Sequence, residues 1–243
     1  RCACGAVLDA YGDHLLNCSF GQGWRIHRHN ASRDILVDVF RSAGSRVTRE
    51  QTLRTLGIPA SNPDLRLDGV VHATGEEGAR VTFDVTHAHP TSTARTARQS
   101  MAAAAEDPHH VIRAKEAHKR RVYRDVVVAA RNPSNKVQLK PLVALTYGRW
   151  SHETDALLTE AATRYLVTHG AAEASKWRVQ QVKRRWYKRL SCSLRRGNAM
   201  VIWNGFQRGL DKQAGLSRHR GSSFHTDPRT LGVREVWAGP SHR

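Results

Sequence analysis

The stretch from Pro63-Asp64 to Phe83-Asp84-Val85-Thr86 constrains this 243-residue chain more than any other, because it sets two carboxylates into one hairpin. Leu65-Arg66-Leu67-Asp68-Gly69-Val70-Val71 alternates apolar with polar side chains, as a half-buried strand does, and Arg80-Val81-Thr82-Phe83-Asp84-Val85 begins a second such run. Thr74-Gly75-Glu76-Glu77-Gly78 between them is turn-forming. One arm therefore carries Asp64 behind a proline break, and the other carries Asp84 inside the strand. Strand side chains project from a rigid sheet, so two such acids can lie close enough to share a hard, oxygen-seeking ion such as Mg²⁺. The competing reading is that Asp64 caps a turn and Asp84 meets a surface arginine.

The segments around the hairpin supply further candidates. Residues 24–43 are expected to form a helix with Ile26, Ile35, Leu36, Val39 and Phe40 on one side and Gly44 as its stop. Its first turn is basic, and Arg28, His29 and Asn30 could grip phosphate or steady a metal site. Arg46 to Glu50 reads as a short strand that would bring Glu50 toward the hairpin acids if it pairs beside them. His87 and His89, two apart, share a strand face and read as substrate contacts or surface residues, with a second metal pair as the alternative. Residues 92–106 are weakly helical in composition, and Asp107-Pro108 then opens a long helix to about Ala130. On it Lys115, Lys119 and Tyr123 share one face, which could aim a lysine at a water held over the acids or could be a solvated basic row. Residues 136–147 read as a strand that Pro141 confines to a sheet edge. Ser151 opens a further helix to Thr168, ended by Gly170.

Residues 1–18 hold a separate constellation. Cys2-x-Cys4-Gly5, then His14, then Cys18 offer three thiolates and an imidazole, the tetrahedral donor set of Zn²⁺, and Gly5 permits the tight turn that a Cys-x-Cys arm needs. So short a segment has no core of its own, so metal binding and folding are expected to be one event. Free thiols beside a chance histidine are the alternative. Three of four cysteines crowded into 18 residues argue for metal in a reducing, intracellular compartment and against a disulfide framework.

Charge names the partner. Lys and Arg number 39 against 21 Asp and Glu, giving a net charge of +18 and a pI near 10.8. A polyanion is the natural ligand, and nucleic acid fits better than membrane because the basic segments interleave Trp and Tyr with cations and have no one-sided apolar face. Those segments are Lys176-Trp177-Arg178, then Lys183-Arg184-Arg185-Trp186-Tyr187-Lys188-Arg189, then Arg195-Arg196. Cations there would meet phosphates while rings stack on bases. No run of about 18 apolar residues occurs, so neither a signal peptide nor a membrane span is expected. The chain opens on Arg1 and reads as a piece of a longer polypeptide. From about Gly215 it reads as a flexible basic tail.

In order, Cys-x-Cys-Gly…Gly-Asp-His…Cys, Arg28-His29-Asn30, Glu50, Pro63-Asp64, Phe83-Asp84-Val85 and Lys119…Tyr123 resemble the carboxy-terminal region of non-LTR retrotransposon proteins that carry a restriction-like endonuclease. The resemblance spans about residues 1–165. It implies an α/β fold of the PD-(D/E)xK kind: a restriction-endonuclease-like mixed β-sheet flanked by helices, preceded by a small zinc knuckle and followed by a basic helical extension. The corresponding units are 1–22, 23–150, 151–212 and a tail at 213–243. Asp64 and Asp84, with Glu50 and a backbone carbonyl near Val85, would hold Mg²⁺ or Mn²⁺. Lys119 would be the lysine displaced onto a following helix, with Lys115 competing for the role, since Val85-Thr86 follow Asp84 and no lysine stands two residues on. The implied partners are DNA, an RNA template and an upstream reverse transcriptase domain, with no small-molecule cofactor, in the nucleus. The nick would leave a 3′-hydroxyl that primes reverse transcription. The rival expectation is a zinc-containing nucleic-acid-binding module without catalysis.

Overall fold

Each arm of the expected hairpin is a strand, and the sheet grows from it. A computed structural model describes residues 1–10, 12–18, 20, 22–72, 80–90, 106, 107, 109–131, 137–171 and 173–215. Among them β1 (Arg46–Thr52), β2 (Arg66–His72), β3 (Arg80–Ala88) and β4 (Val137–Leu145) form one mixed sheet in the order β1-β2-β3-β4. The first three strands are antiparallel, and β4 runs parallel to β3. A parallel neighbour requires a long crossover. Here the crossover carries α3 (His110–Val122) and α4 (Arg124–Ala129). Pro141 is tolerated because β4 is an edge strand, paired among the described strands with β3 alone, where Pro141 stands opposite Asp84.

Helices cover both faces. Leu36, Val39 and Phe40 of α2 (Gln22–Ser42), Leu158 and Ala162 of α5 (His152–Thr168), and Val179, Trp186 and Leu190 of α6 (Lys176–Gln213) bury the face carrying Phe83 and Val85. Leu67, Val70, Leu139, Tyr123 and Val126 close the other, under α3 and α4. The fold is thus mixed α/β, a four-stranded mixed sheet flanked by helices, and the basic helix α6 is a layer of its main core. A five-residue helix α1 (Asp13–Asn17) belongs to the amino-terminal cysteine segment.

Local expectations hold in most places and fail in instructive ones. Ser151 caps α5 by accepting the Thr154 N–H at 3.3 Å. Ile26, expected in the core, is 58% exposed. The helix expected from 107 to 130 breaks at Tyr123, whose backbone leaves helical geometry (φ −99°, ψ 33°) between α3 and α4. The turn at 74–78, the weakly helical stretch up to residue 105, Pro108 and the tail from residue 216 lie outside the described residues. No helix among the described residues is long and apolar enough to cross a membrane.

One cross-strand pair fixes the β2–β3 register. Gly69 stands opposite Phe83, and the phenyl ring lies over the glycine so closely that a Cβ there would come within 2.3 Å of a ring carbon. A buried aromatic covering a strand glycine restores the packing surface that glycine lacks. Phe83 is fully buried, so it has nowhere to retreat. Gly69→Ala should therefore destabilise the protein by about 1–3 kcal/mol through overpacking. Chemical denaturation followed by circular dichroism measures this, and an unchanged midpoint would show that the Phe83 ring can move aside.

Candidate functional site

The carboxylate that faces Asp84 is Asp68. The β2–β3 ladder pairs Gly69 with Phe83, and continuing that register by one residue sets Asp68 opposite Asp84. Asp68 Oδ2 accepts the main-chain N–H of Val85 at 2.6 Å, and its Oδ1 lies 2.9 Å from His29 Nε2 of α2. Asp64, by contrast, precedes β2 in a turn, is 72% exposed, and pairs with Arg54 at 3.0 Å. It fills the turn role weighed for it from sequence, and the structure does not bring it to Asp84. The sequence did carry a signal for Asp68: it is an acid within the alternating strand run, where side-chain direction is fixed, whereas a residue after Pro63 lies outside the ladder.

Asp84 is the buried member, with its side chain 6% exposed. Lys119 Nζ reaches Oδ2 at 2.8 Å, and the Tyr123 hydroxyl lies 2.7 Å from Oδ1 and 2.6 Å from the Arg66 carbonyl. Thr86 donates to Oδ2 at 3.2 Å. Burial pushes the Asp84 carboxyl upward and the charge of Asp68 adds to this, while Lys119 pulls it down. Burial, reinforced by Asp84, also raises the Tyr123 phenol, which stays a neutral donor. One turn back on α3, Lys115 is half-buried and makes no ion pair among the described residues. Of the two competing lysines, the geometry brings Lys119 to the acid.

Glu50 lies across from Asp68 in the β1–β2 register but turns away, held at a left-handed backbone (φ 52°) and paired with Arg33 and Arg66. It is not drawn to the two aspartates. Asn30 is half-buried on the turn that carries His29. The two histidines, expected as substrate contacts or surface residues, turn inward, His87 half-buried and His89 buried. His87 bonds Ser32 Oγ at 3.1 Å, and burial, with Arg28 nearby, lowers it to about 3. His89 is fully buried, its Nδ1 2.6 Å from Thr146 Oγ1. Tied to different partners, Ser32 for the half-buried His87 and Thr146 for the buried His89, they form no metal pair.

The cysteine segment closes on itself as its donor set requires. Cys2, Cys4, His14 and Cys18 place their ligand atoms within 4.8 Å of one another, with Cys2 Sγ to Cys18 Sγ at 3.6 Å and Cys4 Sγ to His14 Nε2 at 3.2 Å. Zn–S bonds of about 2.3 Å in a tetrahedron put sulfurs about 3.8 Å apart, so the cluster fits zinc. Asp9 fixes His14 by accepting the Asp13 and His14 N–H groups at 2.9 and 2.8 Å. A hydrogen bond from the Ala6 backbone lowers the Cys4 thiol to about 7, and burial raises Cys18 to about 11. The cluster docks on α6 where glycines let it approach: a Cβ at Gly205 would meet Leu15 at 2.7 Å, and one at Gly209 the Arg1 carbonyl at 2.5 Å.

A polar chain links this cluster to the aspartates. Asp13 Oδ1 accepts from Tyr147 at 2.7 Å and lies 3.3 Å from His89. His89 reaches Thr146, whose carbonyl accepts from Asn198 at 2.6 Å, and Asn198 accepts from Arg28 at 2.7 Å. The next residue, His29, holds Asp68. Arg28, expected to grip phosphate, is instead buried, and burial lowers it to about 10. Lys183 is likewise buried, on Asp155 at 2.8 Å and Thr159 at 2.7 Å, and Arg189 pairs with Asp38 at 3.6 Å. Lys176, Arg178, Arg184, Arg185, Lys188, Arg195 and Arg196 are exposed, as a polyanion surface needs.

No protein-family model and no curated protein matches this chain.

The purified protein should hold about one Zn²⁺ per chain. Zinc must displace the proton that Cys18 holds up to about 11, so affinity should fall as pH is lowered. Elemental analysis of the parent and Cys18→Ser, with a chelator competition at two pH values, checks both. A Cys18→Ser protein with undiminished zinc would remove Cys18 from the ligand set.

Proposed function

We propose that the chain is a divalent-metal-dependent DNA endonuclease domain of a retroelement protein. The observation that supports this best is the convergence of Asp68 and Asp84 from adjacent strands with Lys119 and Tyr123 from a crossover helix. An antiparallel trio of strands extended by a parallel fourth is compatible with the restriction-like core that the sequence resemblance implies. The donor set suits a hard cation, since two carboxylates face one another and each raises the need for positive charge, which Lys119 meets only in part. Asp68 and Asp84 would hold Mg²⁺ or Mn²⁺, which when bound neutralises the scissile phosphate and makes a water more acidic.

The remaining chemistry belongs to the side chains. Attack of water on phosphorus forms one P–O bond and breaks the bond to the 3′ oxygen, which takes a proton and leaves as a 3′-hydroxyl. Lys119, held over Asp84 by the ion pair and over the Tyr123 ring at 5.8 Å, would stabilise charge on the phosphate oxygens. His29 and the Val85 N–H fix both oxygens of Asp68, so its carboxylate enters the reaction already oriented. Tyr123 does the same for Asp84. In the retroelement reading the 3′-hydroxyl primes reverse transcription by an upstream domain, on nuclear DNA.

A nicking assay on supercoiled plasmid with Mg²⁺ separates the aspartates. Asp68→Asn and Asp84→Asn should each abolish nicking, and Lys119→Ala should slow it about 10²–10³-fold, the usual cost of losing one charge stabiliser. Asp64→Asn and Lys115→Ala should cut within a few-fold of the parent. Nicking lost in Asp64→Asn and kept in Asp68→Asn would reverse the assignment of the carboxylate. Parent-level nicking in all five variants would remove the aspartate pair from the reaction, and no nicking by the parent itself would leave a nucleic-acid-binding module.

A further inference from the structure

α6 has two opposite faces, and only one of them is explained by the core. Val179, Lys183, Trp186, Leu190, Leu194 and Val201 are buried along the inner face. Its rotation is pinned by Asp155, which takes Lys183 at 2.8 Å and the Tyr187 hydroxyl at 2.9 Å. At about 100° per residue, Trp177, Arg184, Lys188, Arg195 and Phe206 fall within about 40° of one another on the far side. They make a straight stripe about 44 Å long at 1.5 Å per residue. Trp177 is 69% exposed and Phe206 42% exposed, one near each end. Arg184, Lys188 and Arg195 between them are exposed and form no ion pair among the described residues. Arg178, Arg185 and Arg196 flank the stripe on one side, as does Trp203, 60% exposed. Asp211 is the one acid in the helix.

We propose that this stripe binds single-stranded nucleic acid, with phosphates on Arg184, Lys188 and Arg195 and bases stacked on Trp177 and Phe206. The cations call for a polyanion and the rings decide its form. A duplex keeps its base faces stacked on each other and offers an exposed indole nothing flat to cover it, whereas an unpaired strand presents a π-face at each base. A membrane surface fits poorly, because an interfacial helix needs a continuous apolar face and here cations separate the rings. The stripe is distinct from the aspartate site, binding to it needs no divalent metal, and it stands whether or not the chain cuts DNA.

The test uses the zinc-loaded chain without added Mg²⁺ and follows anisotropy of labelled oligothymidylate, oligouridylate and a random-sequence duplex. Trp177→Ala and Phe206→Ala should each weaken oligothymidylate binding about 5- to 150-fold while duplex binding stays within about twofold. Trp177→Phe, which keeps a ring, should retain most of the affinity. Replacing Arg184, Lys188 and Arg195 together by Gln should lower the slope of log affinity against log salt by about 2, at about 0.7 per phosphate. Comparing the two oligonucleotides tells DNA from RNA as the strand bound. Ring variants that bind oligonucleotide like the parent, or lose duplex equally, overturn the proposal, as does a triple variant with an unchanged slope. Tighter binding of the parent to anionic vesicles than to either oligonucleotide would overturn it in favour of a membrane.

Discussion

The carboxylate of Asp84 is held out of water with Lys119 on one oxygen and Tyr123 on the other, and much of the architecture follows from keeping it there. A buried charge is tolerated only when paired and hydrogen-bonded. Both partners come from the β3–β4 crossover, so the same contacts that satisfy Asp84 fasten that crossover to the sheet. The helix break at Tyr123 belongs to this constraint. Lys119 and Tyr123 lie one turn apart, and the tyrosine must reach both Asp84 and the Arg66 carbonyl, so the chain leaves helical geometry at the residue that makes the reach.

This explains which parts of the site could be read from the sequence. Strand alternation located Asp84 and the hairpin because side-chain direction in a ladder follows from a period of two. Helical spacing put Lys115, Lys119 and Tyr123 on one face. Choosing between the lysines required the distance from α3 to β3, which no local pattern contains. The exchange of Asp64 for Asp68 has a similar origin. Pro-Asp drew attention as a motif, yet the proline ends regular structure at that point, and the directed carboxylate lies inside β2. Arg28 and Lys183 show a further limit, since charge alone suggests solvent and phosphate, while tertiary partners on α6 and α5 draw both into the interior.

α6 does more than extend the core. Gly197, Gly205 and Gly209 clear space at three levels for Arg28, Leu15 and the Arg1 carbonyl, so α2 and the cysteine segment both seat against one helix. The polar chain from Asp13 through His89, Thr146, Asn198 and Arg28 runs beside these contacts and reaches the turn that holds Asp68. Zinc held by the cysteine cluster would fix His14, and with it the neighbouring Asp13, at the start of the chain that reaches the residue orienting a carboxylate of the sheet. The cysteine segment, seated on α6 through Leu8, Leu15 and Ile202, becomes part of the outer support of the aspartate pair.

The aspartate pair has an energetic cost that points toward its ligand. A carboxyl whose pKa is raised in the native state binds protons more readily there than in the unfolded chain. The ionised form of Asp84 therefore opposes folding above the ordinary carboxylate range, and this opposition shrinks as pH falls. Lys119 reduces that cost without removing it, because burial and the Asp68 charge still act on the group in the lysine's presence. Any cation that binds both carboxylates in the native state alone relieves the same repulsion and stabilises the fold by mass action. In the proposed reading a proton and a divalent ion would compete for one site, and the burial that raises Asp84 is what either of them would relieve.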